Sequence, residues 1–143
     1  MRGVRRRSES GAATAEVVLL FPILMVVLLL SVQFGLWYHA SHVALTAAQE
    51  GARAGRQDPR ADPAAPNADP AAAEAGAATV ATDFLTRLGS GVVERPEVKA
   101  TSDGDTVRVV VEGDATSVMF IPGFSFRVHA VSEGPIEKFR PDQ

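Results

Sequence analysis

The feature that most constrains the fold is a long apolar run near the N-terminus. From Val17 to Tyr38 the chain has 22 residues without an Asp, Glu, Lys, Arg or His. At about 1.5 Å per residue, a helix of this length extends roughly 33 Å, enough to cross a hydrocarbon layer of about 30 Å. Trp37 and Tyr38 suit the headgroup layer, because their rings are apolar and their edges polar. The run predicts a transmembrane helix, in which Pro22 is tolerated.

The charges on the two sides of this run differ in sign. Residues 1–11 contain four arginines and one glutamate, a net charge of +3, whereas residues 39–143 contain 10 basic and 15 acidic side chains. The positive-inside rule therefore predicts a single-pass protein with a cytoplasmic N-terminus and an extracytoplasmic remainder. Basic residues confined to a short arm do not predict nucleic-acid binding. Cleavage as an ordinary signal peptide is disfavoured, because the A-x-A site beyond the run, Ala52–Ala54, lies far from its end.

The stretch from Gly11 to Leu30 resembles the class III signal of type IV prepilins. A basic leader arm, residues 1–11, is followed by four small residues, Glu16 and the apolar helix. The resemblance implies that a prepilin peptidase cuts between Gly11 and Ala12 and that the helix, residues 12–38, is retained. It also implies that Glu16 pairs with the new ammonium group of Ala12 on a neighbouring subunit, since either charge is costly alone near lipid. The simpler alternative is that Glu16 caps the helix and reaches into the headgroups.

Two further motifs narrow the resemblance. The sequence "QFG" at Gln33–Gly35 and the sequence "AAQEGARA" at Ala47–Ala54 look like the TadE-like family, pilin-like proteins of tight-adherence (Flp-type) pilus assembly systems. The similarity covers about residues 8–56. It implies partnership with membrane lipid, with other pilin-like subunits or assembly platform proteins and with a prepilin peptidase. One departure is Val17, where many prepilins of this system place a tyrosine. The alternative function is an uncleaved, single-pass binding or scaffold protein.

Residues 39–56 are predicted to continue the helix beyond the membrane. Small residues form two rows at i, i+4 spacing, Ala44, Ala48 and Ala52 in one and Ala47, Gly51 and Gly55 in the other. Such rows allow close approach of a second helix, and each glycine costs about 1 kcal/mol of helix propensity relative to alanine. We therefore expect a helix-packing contact here with a second copy or a partner protein. The alternative is an alanine-rich helix that serves helix propensity alone.

The remaining residues predict a small α+β domain at 70–134, after a flexible linker at 57–69 and before a tail at 135–143. Asp69 and Pro70 predict a helix start, and Gly89 predicts its end. The apolar face of this helix is predicted to comprise Ala77, Val80, Ala81, Phe84, Leu85 and Leu88. Three alternating segments follow, with a hairpin signal at Asp103-Gly104, and Pro96 either restricts the first strand to a sheet edge or delays its start. The predicted fold is a long transmembrane helix followed by one helix on a three-stranded antiparallel sheet.

An apolar cluster lies between the second and third predicted strands. Met119, Phe120, Ile121 and Phe124 surround a Pro122-Gly123 turn. They either complete the small core or form an exposed tip that touches the membrane or a partner subunit.

No residue pattern indicates catalysis. The chain has no Cys, no phosphate-binding glycine-rich loop and no H-E-x-x-H motif. His39 and His42 flank the membrane exit without a third ligand nearby, so no metal site and no cofactor are predicted. We expect a protein that is not an enzyme.

Overall fold

The computed structural model describes residues 9–119 and 125–137, with side chains from Thr14 onward in the first helix. In chain order the elements are helix α1 at Glu9–Gln57, a short 3-10 helix at Pro59–Ala61, helix α2 at Pro70–Leu88, and strands β1 at Val93–Ser102, β2 at Thr106–Ala115 and β3 at Phe126–Pro135. The strands form one sheet in the order β1-β2-β3, and both neighbouring pairs are antiparallel. The predicted α+β fold class is confirmed.

Helix α1 is the longest element, with 49 residues that include Pro22. At about 1.5 Å per residue it extends roughly 74 Å, more than twice the thickness of a hydrocarbon layer. Its first half carries the apolar run, and its second half packs on α2, β2 and β3. One continuous helix therefore joins the membrane-spanning segment to the core of the domain.

The sheet supplies the other side of that core. In β2, Val107, Val109 and Val111 are buried, and Val128 and Ala130 of β3 lie on the same face. The alternation predicted from the sequence is confirmed at these positions. The domain has two ends along α1: β2 ends and β3 begins at the proximal end, near the apolar run, whereas Val107 and Gly134 lie beside Gly55 and Arg56 at the distal end.

Strand β1 lies at one edge of the sheet, which is one of the two placements predicted from Pro96. The register shifts between Glu94 and Glu97, and Arg95 in this bulge has a φ of 49°. At the other end of β1, the Asp103 amide donates to the carbonyl of Thr106 across a hairpin, in which Gly104 has a φ of +87°. The hairpin is confirmed, but its loop has three residues, 103–105, rather than two.

Two helices, rather than the single predicted one, cover the sheet. The second half of α1 lies on β2 and β3, while α2 lies against α1 and β1. Helix α2 begins at Pro70, where the Asp69 carboxylate accepts from the Ala72 amide at 3.0 Å, and it ends before Gly89 as predicted. Residues 39–56 give no sign of this role in the sequence, because their small side chains offer little apolar area of their own.

The buried face of α2 also differs from the predicted one. Its buried residues are Ala73, Ala77, Ala81 and Leu85, whereas Val80 and Leu88 are 40% and 62% exposed. The reason is that alanines allow α2 to approach the glycines of α1 closely, and this rotates the larger side chains outward. The prediction was therefore wrong for Val80 and Leu88.

Residues 57–69, expected to be a flexible linker, contain local structure. The Asp58 side chain accepts from the Arg60 amide at 2.9 Å at the start of the 3-10 helix, and Ala61 is buried. The Asp69 amide donates to the Arg60 carbonyl at 2.9 Å. These bonds connect the ends of α1 and α2 by a defined path.

Candidate functional site: the anchor helix and its junction with the domain

The first half of α1 is exposed along its whole circumference. Every side chain from Val17 to Val32 is exposed, and so is Phe34. A soluble monomer rarely exposes a contiguous apolar surface of this size. Within the described residues, α1 is the one helix long and apolar enough to cross a membrane, and 6% of its most apolar window is buried, unlike the core helix of a soluble domain. This half of α1 fits a membrane anchor.

The predicted processing residues lie at the beginning of α1. The helix runs through Gly11 and Ala12 without a break, and Glu16 is exposed where the apolar surface begins. Cleavage between Gly11 and Ala12 and pairing of Glu16 with a neighbouring subunit stay predictions.

The two rows of small residues are buried in the second half of α1. A Cβ atom on Gly51 would lie 2.8 Å from the Ala77 carbonyl oxygen and 2.9 Å from the Ala81 Cβ. A Cβ atom on Gly55 would lie 2.8 Å from a Val107 methyl group. The other row members are also buried, Ala44, Ala47, Ala48 and Ala52.

The prediction of what packs on these rows was therefore wrong. Where the sequence predicts a second copy or another protein, Gly51 and Gly55 instead contact α2 and β2 of the same chain. Sequence separation explains the error, because the alanine row of α2 complements the glycines across more than 20 residues.

A polar contact that the sequence analysis missed lies at the proximal end of the domain. Gln33 is 1% exposed, although it belongs to the apolar run. Its Oε1 accepts from the Val118 amide at 3.0 Å and lies 3.0 Å from the Ser117 hydroxyl, while its Nε2 donates to the Thr116 carbonyl at 3.4 Å. Gln33 is the one side-chain amide in the apolar run, and this was the sequence signal for a polar contact. Its partners could not be identified, because they are more than 80 residues away.

Trp37 makes a second contact of this kind, one helical turn further along α1. Its indole N–H donates to the Arg127 carbonyl at the start of β3, at 3.1 Å. The polar edge of Trp37, predicted from the sequence to lie among lipid headgroups, therefore contacts the protein. Gln33 and Trp37 together fix the proximal end of the sheet onto α1.

Of the predicted apolar tip, Met119 lies within the described residues, directly after the segment Thr116–Val118 that contacts Gln33. Met119 is half-buried and Val118 is 50% exposed. Phe120, Ile121 and Phe124 lie outside the described residues, so the choice between core and contact tip stays open for them.

Two carboxylates at the distal end carry shifted pKa values. The Arg60 guanidinium and amide hold the pKa of Asp58 below its ordinary value. The amides of Asp105 and Thr106 do the same for the pKa of Asp103, because they donate to its carboxylate at 3.0 and 2.7 Å. Among the described residues no group of three or more His, Asp or Glu is arranged to hold a metal ion.

The comparison with protein families gives one match. Residues 11–53 match the model of a family described as TadE-like protein. The match begins at Gly11, spans the exposed apolar half of α1 and ends within the small-residue rows. It confirms the resemblance to the TadE-like family over this segment, which is less than a third of the chain. No curated protein and no solved structure matches the chain.

The match links residues 11–53 to a pilin-like family. The chain is similar to the pilin-like proteins of tight-adherence pilus systems, a structural family rather than a catalytic one. Such a family implies contact with other components of a pilus, and α1 supplies the single apolar helix that a membrane anchor requires.

Proposed function

We propose that this protein is a TadE-like pseudopilin or minor pilin that acts in the assembly of a tight-adherence pilus or a related surface secretion system. The observation that carries the proposal is α1, in which an exposed apolar half and a half buried in the domain are continuous over 49 residues. A subunit built in this way can leave the bilayer together with its anchor only if other apolar helices replace the lipid around Val17–Phe34.

The proposal includes an orientation and a processing step. The arginine-rich arm stays in the cytoplasm, and the domain lies on the other side of the membrane. Cleavage after Gly11 then leaves an ammonium group on Ala12, four positions before Glu16. Because an unpaired charge is costly near lipid, Glu16 favours arrangements in which a neighbouring subunit places its Ala12 ammonium beside it.

Orientation is tested with a reporter fused after Gln143. A reporter that is active only outside the cytoplasm should be active at this position, and a cytoplasmic reporter should be inactive. Activity of the cytoplasmic reporter alone would contradict the orientation and the proposed function with it.

Assembly is tested by placing a photo-crosslinking amino acid at Val18, on the exposed apolar surface. In a host with a tight-adherence system, crosslinks to pilin-like subunits or platform proteins are expected, and Glu16→Ala should reduce them several-fold. Ser31→Ala is the matched control, because Ser31 is exposed on the same helix and bonds only to the Val27 carbonyl among described contacts. Crosslinks to lipid alone in every variant would favour the anchored binding or scaffold protein instead.

A further inference from the structure

The depth of the proximal end of the domain in the membrane follows from the length of α1 between Glu16 and Gln33. Glu16 is the last charged residue before the apolar run, and a carboxylate is favourable at a membrane boundary rather than inside it. Gln33 lies 17 residues further along, a rise of about 26 Å in a helix, whereas the hydrocarbon layer is about 30 Å thick. Gln33 is therefore placed at the boundary between acyl chains and headgroups on the far side, or a few ångströms inside it.

Gln33 holds part of the domain at that depth. The segment it binds, Thr116–Met119, is named here the proximal loop. Three polar groups of this loop contact the Gln33 amide, namely the Thr116 carbonyl, the Ser117 hydroxyl and the Val118 amide. A second copy or a distant partner is not needed to bring the loop to the membrane, because the anchor helix itself carries the contact.

The chemistry of the proximal loop suits that depth. The Ser117 hydroxyl lies 2.7 Å from the Met119 carbonyl and accepts from the Met119 amide at 3.3 Å, so these backbone groups have partners within the loop. Polar backbone groups near hydrocarbon need such internal partners, since acyl chains offer none. Val118 is nevertheless 50% exposed, so an apolar side chain faces outward from a loop in which the Val118 amide and both Met119 backbone groups have partners.

Arg127 adds a positive charge at the level of Trp37, one turn of α1 further from the membrane centre than Gln33. Its carbonyl is bound to Trp37, four residues or about 6 Å beyond Gln33. The Arg127 side chain is exposed at this level, which corresponds to the headgroup layer. An arginine there can reach lipid phosphates while the loop below it contacts the acyl boundary.

We propose that the proximal loop is a second membrane contact, in which Val118 and Met119 face lipid at the acyl-headgroup boundary and Gln33 is the positioning residue that keeps them there. The occupant of this surface is lipid, because the loop is continuous in depth with the exposed apolar surface of α1. The proposal depends on α1 being a membrane anchor, but not on processing or pilus assembly.

The test uses single cysteines, since the natural chain contains none. The full chain with Val118→Cys is labelled with an environment-sensitive fluorophore and placed, one copy each, in lipid nanodiscs that contain acyl chains brominated near the headgroup or near the terminal methyl. Quenching should be at least threefold stronger with the shallow bromine than with the deep one. Aqueous iodide should quench weakly.

Thr101→Cys is the matched control, on an exposed position of β1. Its partner Arg108 lies seven residues along β2 from Ala115, about 23 Å from the proximal end at roughly 3.3 Å per residue. The label there should be quenched by iodide and not by either lipid. Equal iodide quenching at both sites would overturn the lipid contact. Shielding of the Val118 label from iodide and from both lipids would overturn it too, since protein would then cover the loop.

The role of Gln33 is tested separately. Gln33→Leu keeps the helix apolar but removes the three loop contacts, and it should lower shallow lipid quenching of the Val118 label at least twofold. Val32→Leu changes the adjacent residue, which is 44% exposed, and should leave the quenching of the Val118 label unchanged. Denaturant unfolding of each variant without the label, followed by the fluorescence of Trp37, shows whether the domain stays folded. Unchanged quenching in a folded Gln33→Leu variant would overturn the positioning role of Gln33. The lipid contact itself is tested by the Val118 label in the chain that keeps Gln33.

Discussion

At the scale of single residues, Gly51 and Gly55 of α1 explain how the second half of this helix can form part of the core. In an isolated helix each glycine costs about 1 kcal/mol relative to alanine. In the structure they allow the Ala77 carbonyl and a Val107 methyl group to approach within distances that a Cβ atom would not permit. The lost propensity is therefore offset by closer packing of α2 and β2 on α1.

The first prediction compares glycines in the two helices. Gly51→Ala should lower the free energy of unfolding by about 1–3 kcal/mol, because its Cβ would overlap backbone as well as side-chain atoms of α2. Gly76→Ala should be neutral or stabilise by up to about 1 kcal/mol, since its Cβ would meet only the Asp58 carboxylate, at 3.9 Å. Denaturant unfolding in detergent can be followed by the fluorescence of Trp37, the single tryptophan.

If Gly51→Ala were as stable as Gly76→Ala, the close packing of α2 on α1 would be contradicted. The small-residue rows would then again be candidates for contact with a second chain.

The second prediction concerns pH. Asp58 and Asp103 have pKa values lowered in the folded state, by Arg60 and by backbone amides respectively. Each therefore contributes stability that is present above the unfolded aspartate pKa of about 4 and is lost as pH falls through the lowered values. The double variant Asp58→Asn, Asp103→Asn should lose less stability between about pH 5 and pH 2 than the natural chain. Unfolding curves with the same pH dependence in both proteins would contradict this assignment.

At the scale of elements, the orientation of α2 is the feature that a hydrophobic pattern alone did not determine. Ala81 is fully buried against α1, while the adjacent Val80 is 40% exposed. Both belong to the face predicted from apolar spacing. Alanine carries little hydrophobic signal, so a pattern weighted by large side chains places the centre of the face too near Val80 and Leu88.

The third prediction uses this adjacent pair. Ala81→Leu should destabilise the domain by about 1–3 kcal/mol, because the larger side chain has no space between α2 and Gly51. Val80→Leu should change stability by less than about 0.5 kcal/mol, since Val80 is 40% exposed and the larger side chain can extend into solvent. The comparison is again made by denaturant unfolding. A larger loss for Val80→Leu than for Ala81→Leu would favour the face predicted from the sequence.

At the scale of the whole molecule, the sequence predicted elements better than their arrangement. The apolar run, the caps of α2, the alternating valines of β2 and the edge position of Pro96 are local signals, and each was confirmed. The placement of α1 in the core depends on contacts between Gly51 and Ala81 or between Gln33 and Val118, which are distant in sequence. Small side chains and a single amide give no periodic pattern, so their partners could be found only in three dimensions.

In the candidate site, too, local features were predictable from the sequence and contacts between distant residues were not. The anchor and the TadE-like segment were predictable because composition and local motifs define them. The junction formed by Gln33 and Trp37 was not, since both residues fitted a membrane helix equally well. In the described residues, the domain packs directly on the second half of the helix that carries the apolar run.

The central claim is that this chain is a pilin-like subunit whose anchor is processed and retained, and intact mass tests it most directly. Protein purified from a host that has the tight-adherence prepilin peptidase should begin at Ala12, with or without a methyl group, and should retain the apolar half of α1. The same protein from a host lacking the peptidase, or carrying Gly11→Ala, should keep residues 1–11. A full-length mass in the host that has the peptidase would contradict the account and favour an uncleaved, membrane-anchored scaffold protein.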